Sequence, residues 1–160
     1  PWRLMEGYTA MAAEIIAEID TVPTHVFLQA GVGGLAGAMA ACFRAAWGDA
    51  PEIVVVEPAF APALIDSIRA GKFVTTHGPV SDMGRLDCKE ASLIALNGLS
   101  RDANAFVTLT EDECLTAIAQ LPAHDLTTSS SGGAGIAAAT LSDLPPDARV
   151  LCILSEGADA

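Results

Sequence analysis

At 160 residues the chain has the length of one domain of ordinary size and can bury a substantial core. Apolar residues make up 51% of it and aromatics only 5%, which excludes a disordered chain and requires an interior of Ala, Val, Ile and Leu. Twenty acidic against eight basic residues give a net charge of −12, which argues against nucleic acid and anionic membranes as partners and leaves any bound anion to local geometry.

The chain opens on PWRLMEGYTAMAAEIIAEID, with no initiator Met and no evident start of a fold, and is expected to be part of a longer polypeptide. Met5, Met11, Ala12, Ile15, Ile16 and Ile19 recur at helical spacing and predict an amphipathic helix over 4–20, ended before Pro23. HVFLQ then reads as a short strand and 34–47 as a helix of small residues able to approach a sheet closely, stopped by Gly48 and Pro51. The apolar run from Val26 to Phe43 spans 18 residues interrupted only by Gln29, with Gly33 and Gly37 in G-x-x-x-G spacing. Gly and Ala bring little transfer energy, so a strand and a helix are expected there and not a membrane span.

EIVVVEP has no alternation, the pattern of a strand covered on both faces. APALIDSIRAGK predicts a helix closed by Gly71, followed by a long polar connection over 72–92. EASLIALNGLS reads as a helix, NAFVTL as a strand, and TEDECLTAIAQL as a helix with Thr110 as N-cap. SSSGGAGIAAATLSDL reads as a serine and glycine turn entering a helix, and RVLCILSEG as a last strand ending in a polar turn. The alternation predicts an α/β fold, a doubly wound, mostly parallel sheet with helices on both faces, forming a single domain over 1–160. Cys42, Cys88, Cys114 and Cys152 form no C-x-x-C pair and read as reduced thiols of a cytoplasmic protein, while His25, His77 and His124 are too scattered for a metal site.

The chemistry concentrates in QAGVGGLAGA. Gly31, Gly33 and Ala36 fit the dinucleotide pattern G-x-G-x-x-A, and Glu57 follows Ala36 by 21 residues at the end of the next strand, where it would accept hydrogen bonds from a ribose. A nicotinamide dinucleotide module is therefore one reading. The other needs a single phosphate: consecutive glycines at a helix N-terminus can wrap N–H donors around the terminal phosphate of pyridoxal 5′-phosphate without a basic side chain. Gly34, superfluous in the first pattern, suits the second. Glycines that merely let a helix pack on a strand remain a third possibility.

The chain resembles the fold-type II pyridoxal-phosphate enzymes, the group of threonine dehydratase, serine racemase and the tryptophan synthase β subunit, and within it the diaminopropionate ammonia-lyases. The resemblance rests on MEGYTAMAAEI, PTHVFLQAGVGGLAGA, VVVEP, GRLDCKEAS, FVTLTEDE, SSSGGAGIAAA and LSEGAD, in family order over nearly the whole chain. It implies that Gly31, Val32, Gly33, Gly34 and Leu35 form the phosphate-binding loop and that Ser155 faces the pyridine nitrogen. It also implies that Ser131 to Gly135 form the turn opening the helix that lines the cofactor pocket, and gives Glu57 no catalytic role.

A hydroxyl beside the ring nitrogen does not enforce a pyridinium as an aspartate would, which suits β-elimination, where the leaving group takes the electrons. Glu156 is the rival partner, adjacent and anionic, but consecutive residues in a strand point to opposite faces, which favours Ser155. The cluster Asp87, Cys88, Lys89 and Glu90 is either catalytic or a solvated loop before a helix. Lys72 and Lys89 are the only lysines and neither lies in the family's Schiff-base motif, so that lysine and the proton-transferring acids are expected upstream. The implied activity is loss of ammonia from 2,3-diaminopropionate to give pyruvate, by a homodimer; the implied alternative is dehydration of threonine, serine or hydroxyaspartate.

Overall fold

Residues 2–157 are described by the computed structural model. The helix α1 (Trp2–Glu18) leads into β1 (His25–Gln29), α2 (Gly34–Trp47), β2 (Glu52–Pro58) and α3 (Ala63–Ala70). Next come α4 (Leu93–Asp102), β3 (Ala105–Leu109), α5 (Glu111–Ile118), α6 (Ser130–Leu141) and β4 (Val150–Cys152). The four strands are all parallel in the order β3-β2-β1-β4. Phe27 stands opposite Val54 on one side and Cys152 on the other.

Strand periodicity sorts the core into two layers. Val26 and Leu28 of β1 and Ile53 and Val55 of β2 point to one face, where Ala12, Ala36, Met39, Phe43, Leu64 and Leu99 from α1 to α4 cover them. Phe27, Val54 and Val56 point to the other, against Cys114 and Ala117 of α5 and Ala134, Ala137 and Ala138 of α6. Both faces are therefore buried, which is why EIVVVEP carries no alternation. Small residues set the spacing. A Cβ on Gly37 of α2 would stand 3.2 Å from Met5 Cε and 3.4 Å from Ala95 Cα, so α1 and α4 pack almost onto the α2 backbone.

Local signals placed most element boundaries. Gly71 takes φ 63° after α3, the left-handed turn that glycine adopts without a Cβ penalty. Thr110 and Glu113 form a reciprocal capping box on α5. Three expectations need correction. The last strand ends at Cys152, three residues before Ser155, so the alternation argument separating Ser155 from Glu156 does not apply. The serine and glycine run is not a turn: Ser129 caps α6 and 130–135 are its first helical residues. The helix predicted to run to Leu121 ends at Ile118, and a short 3-10 helix over Leu121–His124 follows it. The 18-residue apolar run divides into β1, a turn and α2, and among the described residues no helix is long and apolar enough to cross a membrane.

The order β3-β2-β1-β4 reverses direction between β1 and β4. The chain leaves the end of β1 for α2 on one face of the sheet, whereas β4 is reached from α6 on the other. In open parallel sheets such a reversal leaves a crevice beyond the carboxyl ends of the two strands.

Candidate functional site

That crevice is occupied by a cavity of about 370 Å³. Its floor is the turn after β1, and Gly31, Val32, Gly33, Gly34 and Leu35 all line it. Gly33 is the N-cap of α2 with φ 90°, a conformation that L side chains rarely adopt. A Cβ there would meet Ala95 Cβ and Leu64 Cδ1 at 3.1 Å, so glycine is required on two counts. A Cβ on Gly31 would stand 3.0 Å from both Arg85 O and Cys88 Sγ. The first hydrogen bond of α2 runs from Gly37 N to Gly33 O, and no side chain caps the helix. The N–H groups of Gly34, Leu35 and Ala36 thus have no acceptor within the helix, and they carry the positive end of its dipole.

Opposite this turn the chain after β4 brings Ser155 and Glu156 to the cavity. Glu156 is engaged on both sides. Its Oε2 accepts from Ser129 Oγ at 2.5 Å and its Oε1 pairs with Arg85 Nε at 2.6 Å. Among the described residues, the one hydrogen-bond contact of the Ser155 hydroxyl is Gln29 Nε2, 3.3 Å from its Oγ. What separates the two candidates is therefore prior engagement, since both face the same space. Leu4, Met5 and Tyr8 of α1 and Leu86 form the apolar wall.

The connection over 72–92 roofs this end of the sheet and is bolted to α6. Ser130 Oγ donates to Asp82 O at 3.1 Å, and Arg85 N donates to Ser131 Oγ at 3.1 Å. The serines before the glycines are fasteners, and none of Ser131 to Gly135 lines the cavity. They are buried because α6 lies hard against its neighbours: a Cβ on Gly133 would come within 2.6 Å of Thr128 Cγ2. The expectation that this segment opens the pocket-lining helix as a turn is corrected accordingly.

The cluster of Asp87, Cys88, Lys89 and Glu90 comes apart. Lys89 Nζ donates to Phe60 O, Pro79 O and Asp87 Oδ1, sewing the connection together, and Glu90 accepts from Thr75 Oγ1. Only Cys88 lines the cavity, and burial pushes its thiol above the ordinary range, so it stands there neutral. Lys72 is exposed and neither lysine lines the cavity.

Glu57 is fully buried, with its Oε1 accepting from Leu64 N at 2.7 Å and its Oε2 from Ile65 N at 2.8 Å. Burial pushes its carboxyl up to about 7, against the pull of these two donors. It seals the start of α3 and cannot meet a ribose, which removes the acid on which the dinucleotide pattern depended. Among the described residues no group of three metal-ligating side chains converges.

Four residues of the site escaped sequence reasoning. Arg85 is the basic residue beside the glycine turn, whereas Arg44, the nearer in sequence, is spent on Asp102 O, Gly48 O and Pro51 O. Leu4 and Tyr8, at i and i+4 on α1, continue its apolar stripe past the core, a signal that was present. Gln29, the one polar residue in the apolar run, was also visible there, but as an interruption and not as part of a site.

Comparison with known proteins identifies the family. The model of the family described as pyridoxal-phosphate dependent enzyme matches residues 3–156. A diaminopropionate ammonia-lyase of Salmonella typhimurium is 32% identical over 125 residues, 73% of this chain and 30% of that protein. The solved diaminopropionate ammonia lyase of Escherichia coli, in complex with an aminoacrylate-PLP azomethine reaction intermediate, superposes with a TM-score of 0.83 at 26% identity. That match covers 96% of this chain and 44% of that one. A threonine deaminase of Solanum lycopersicum shares the fold, with a TM-score of 0.86 at 19% identity over 98% of this chain and 46% of that one. The chain thus spans about a third to a half of the length of these relatives.

Proposed function

This chain belongs to the pyridoxal-phosphate dependent enzymes, and on that premise we propose that it forms the cofactor-holding part of an ammonia-lyase acting on 2,3-diaminopropionate or a close β-substituted amino acid. The observation that carries the proposal is the pairing, across one cavity, of an uncapped helix N-terminus with the Ser155 hydroxyl. The glycine cradle fits a terminal phosphate: its donors are backbone N–H groups, and side chains are excluded at Gly31 and Gly33 by contact and by φ. With a net charge of −12, this is the form of anion site the chain can sustain without a free basic residue.

Pyridoxal phosphate, when bound, supplies an electron sink for the α-carbon of an amino acid. In this proposal the residues 31–35 hold its phosphate by N–H donation at the positive end of α2. Ser155 meets the ring nitrogen with a hydroxyl, which leaves that nitrogen without a carboxylate to stabilise a proton on it. Leu4, Met5, Tyr8 and Leu86 exclude water from one side, and Arg85 neutralises Glu156 so that no free carboxylate faces the phosphate. The Schiff-base lysine is proposed to lie outside these 160 residues, since Lys89 is held by three oxygens and Lys72 does not line the cavity. The same reading takes a homodimer in the cytoplasm as the working form.

A dehydratase acting on threonine or serine is the second reading, supported by 35% identity over 72 residues to the biosynthetic L-threonine dehydratase of Bacillus subtilis. Incubation of the intact protein carrying this chain with each substrate separates the two. Ammonia and pyruvate are expected from 2,3-diaminopropionate, together with a cofactor absorption band in the near-ultraviolet to visible range. Turnover of threonine without diaminopropionate would move the assignment to the dehydratases, and a protein free of the band under saturating cofactor would refute both.

A further inference from the structure

The helix α3 begins on a residue that cannot cap it. Its N-cap is Pro62, which has no side-chain acceptor for the free N–H groups of the first turn. The acceptor comes from another element: Glu57, near the end of β2, takes Leu64 N at 2.7 Å on one oxygen and Ile65 N at 2.8 Å on the other. By strand alternation Glu57 shares the face of Ile53 and Val55, which α2 and α3 cover. It is fully buried, and burying a carboxyl is unfavourable unless its oxygens are matched. An apolar residue at 57 and a Ser or Asp at the N-cap would close the same helix without a buried carboxyl. What that arrangement lacks is a fixed distance between α3 and the end of the sheet.

The distance matters because of what Leu64 touches. Leu64 is fully buried, and its Cδ1 and Cδ2 stand 3.1 and 3.4 Å from where a Cβ on Gly33 would be, with Ala95 Cβ of α4 at 3.1 Å. Gly33, at φ 90°, is therefore wedged between α3 and α4 where the chain turns into α2. The turn is tied to the same strand at its start, since Ala30 N donates to Val56 O at 2.8 Å. Successive residues of β2 thus hold its two ends. Val56 holds Ala30 by a backbone bond, and Glu57 holds Gly33 through the first turn of α3 and a leucine side chain.

We infer that Glu57 is a positioning residue for the phosphate cradle, acting through Leu64: it sets α3 where the leucine methyls confine Gly33, and so aims the free N–H groups of α2 before an anion arrives. The inference rests on the reading of residues 31–35 as that cradle. Glycine has the widest backbone freedom of any residue, and no side-chain cap restrains this one, so packing has to hold its φ. A cradle aimed in advance binds more tightly than one that its ligand must order. The acid that the dinucleotide pattern assigned to a ribose serves the other reading of the same glycines, from behind the turn.

The test compares pyridoxamine 5′-phosphate with pyridoxamine, neither of which joins a lysine, on the intact protein carrying this chain. The ratio of their affinities isolates the contribution of the phosphate. Glu57→Gln keeps the size but turns an NH₂ towards one of the two N–H donors, and Leu64→Val removes the methyls that reach Gly33 while leaving the carboxyl in place. Each should reduce the ratio by roughly fivefold or more and move the phosphorus NMR resonance of the bound phosphate. The double variant should go no further than the stronger single one. Thr110→Ala breaks the capping box of α5, away from these contacts, and should alter neither readout. A ratio unchanged in Glu57→Gln, whatever its stability, overturns the positioning role. A loss in Glu57→Gln that Leu64→Val does not share overturns the route through Leu64. If Glu57→Gln does not accumulate folded, an unchanged ratio in Leu64→Val overturns the inference by itself. Equal wild-type affinity for the two ligands overturns the cradle reading beneath it, a separate failure.

Discussion

Two helices of this fold begin with glycines at the carboxyl edge of the sheet, and their first turns have opposite fates. At α6 the start is closed: Ser129 Oγ accepts from Gly132 N at 2.9 Å, Glu156 braces Ser129, and the glycines lie under Thr128, Ile118 and Gln29. At α2 the start is open, with Gly33 as a cap that has no side chain to offer and a cavity in front. Closest contact explains the glycines of α6, and donor exposure together with φ explains those of α2. A glycine run thus identifies a place where a Cβ is forbidden, and only its neighbours tell whether the forbidden space belongs to the protein or to a ligand. The start of α3 extends the contrast, because there the chain supplies its own acceptor, the Glu57 carboxyl, where α2 leaves the position open.

Breaking the open end should have the largest effect. Gly33→Val forces a β-branched residue into φ 90° against Leu64 and Ala95. The backbone term alone is on the order of 1–2 kcal/mol. Cofactor affinity of the intact protein, read by fluorescence titration, should fall by roughly tenfold or more as the cradle shifts. An unchanged affinity would detach the α2 turn from cofactor binding.

The carboxyl at α3 is tested by pH. With its folded-state carboxyl raised from 4.5 to about 7, Glu57 holds its proton in the native state over a range where the unfolded chain has lost it. Its contribution is fully present below pH 4.5 and is lost as pH rises through 7. Burial drives this shift, and the whole effect is on the order of 3 kcal/mol. Denaturant midpoints of the wild type should carry that downward component between these limits and Glu57→Gln should lack it. Equal slopes for the two proteins would place the titration elsewhere.

The smallest effect is expected at the closed end of α6. Ser129→Ala removes the cap and one of the two partners of Glu156, and should lower stability by about 1 kcal/mol in chemical denaturation. Phosphate-dependent affinity should be unaltered, because the α2 donors are untouched. A loss of cofactor affinity as large as that of Gly33→Val would erase the distinction between the two glycine starts.

Much of this fold was legible from single segments. HVFLQ, EIVVVEP and the helix from Gly34 to Trp47 occupy the positions their patterns predict, because burial on both faces and helical periodicity are properties of a few consecutive residues. Gly31 to Leu35 and Ser155 could be nominated by resemblance and do line one cavity. The dinucleotide pattern misled because Glu57 has the right spacing and the wrong surroundings. Sequence separation shows 21 residues from Ala36 but not the two N–H groups of α3 that take up both oxygens. The serine run before the α6 glycines misled for a similar reason: turn-forming residues also make good caps and fasteners, and only the loop over 72–92 shows what they fasten.

The sequence by itself determined the strands and helices, the two glycine starts and the lone amide in an apolar run, since each follows from local sterics, periodicity and composition. Only the tertiary structure decided that Gln29 reaches Ser155 across 126 residues, that Arg85 and not Arg44 stands at the glycine turn, and that α2 is open where α6 is sealed. These meetings depend on the strand order β3-β2-β1-β4, which brings the ends of β1 and β4 together at the point where the sheet reverses. No local pattern encodes that adjacency, because it is selected by burying both faces of the whole sheet at once.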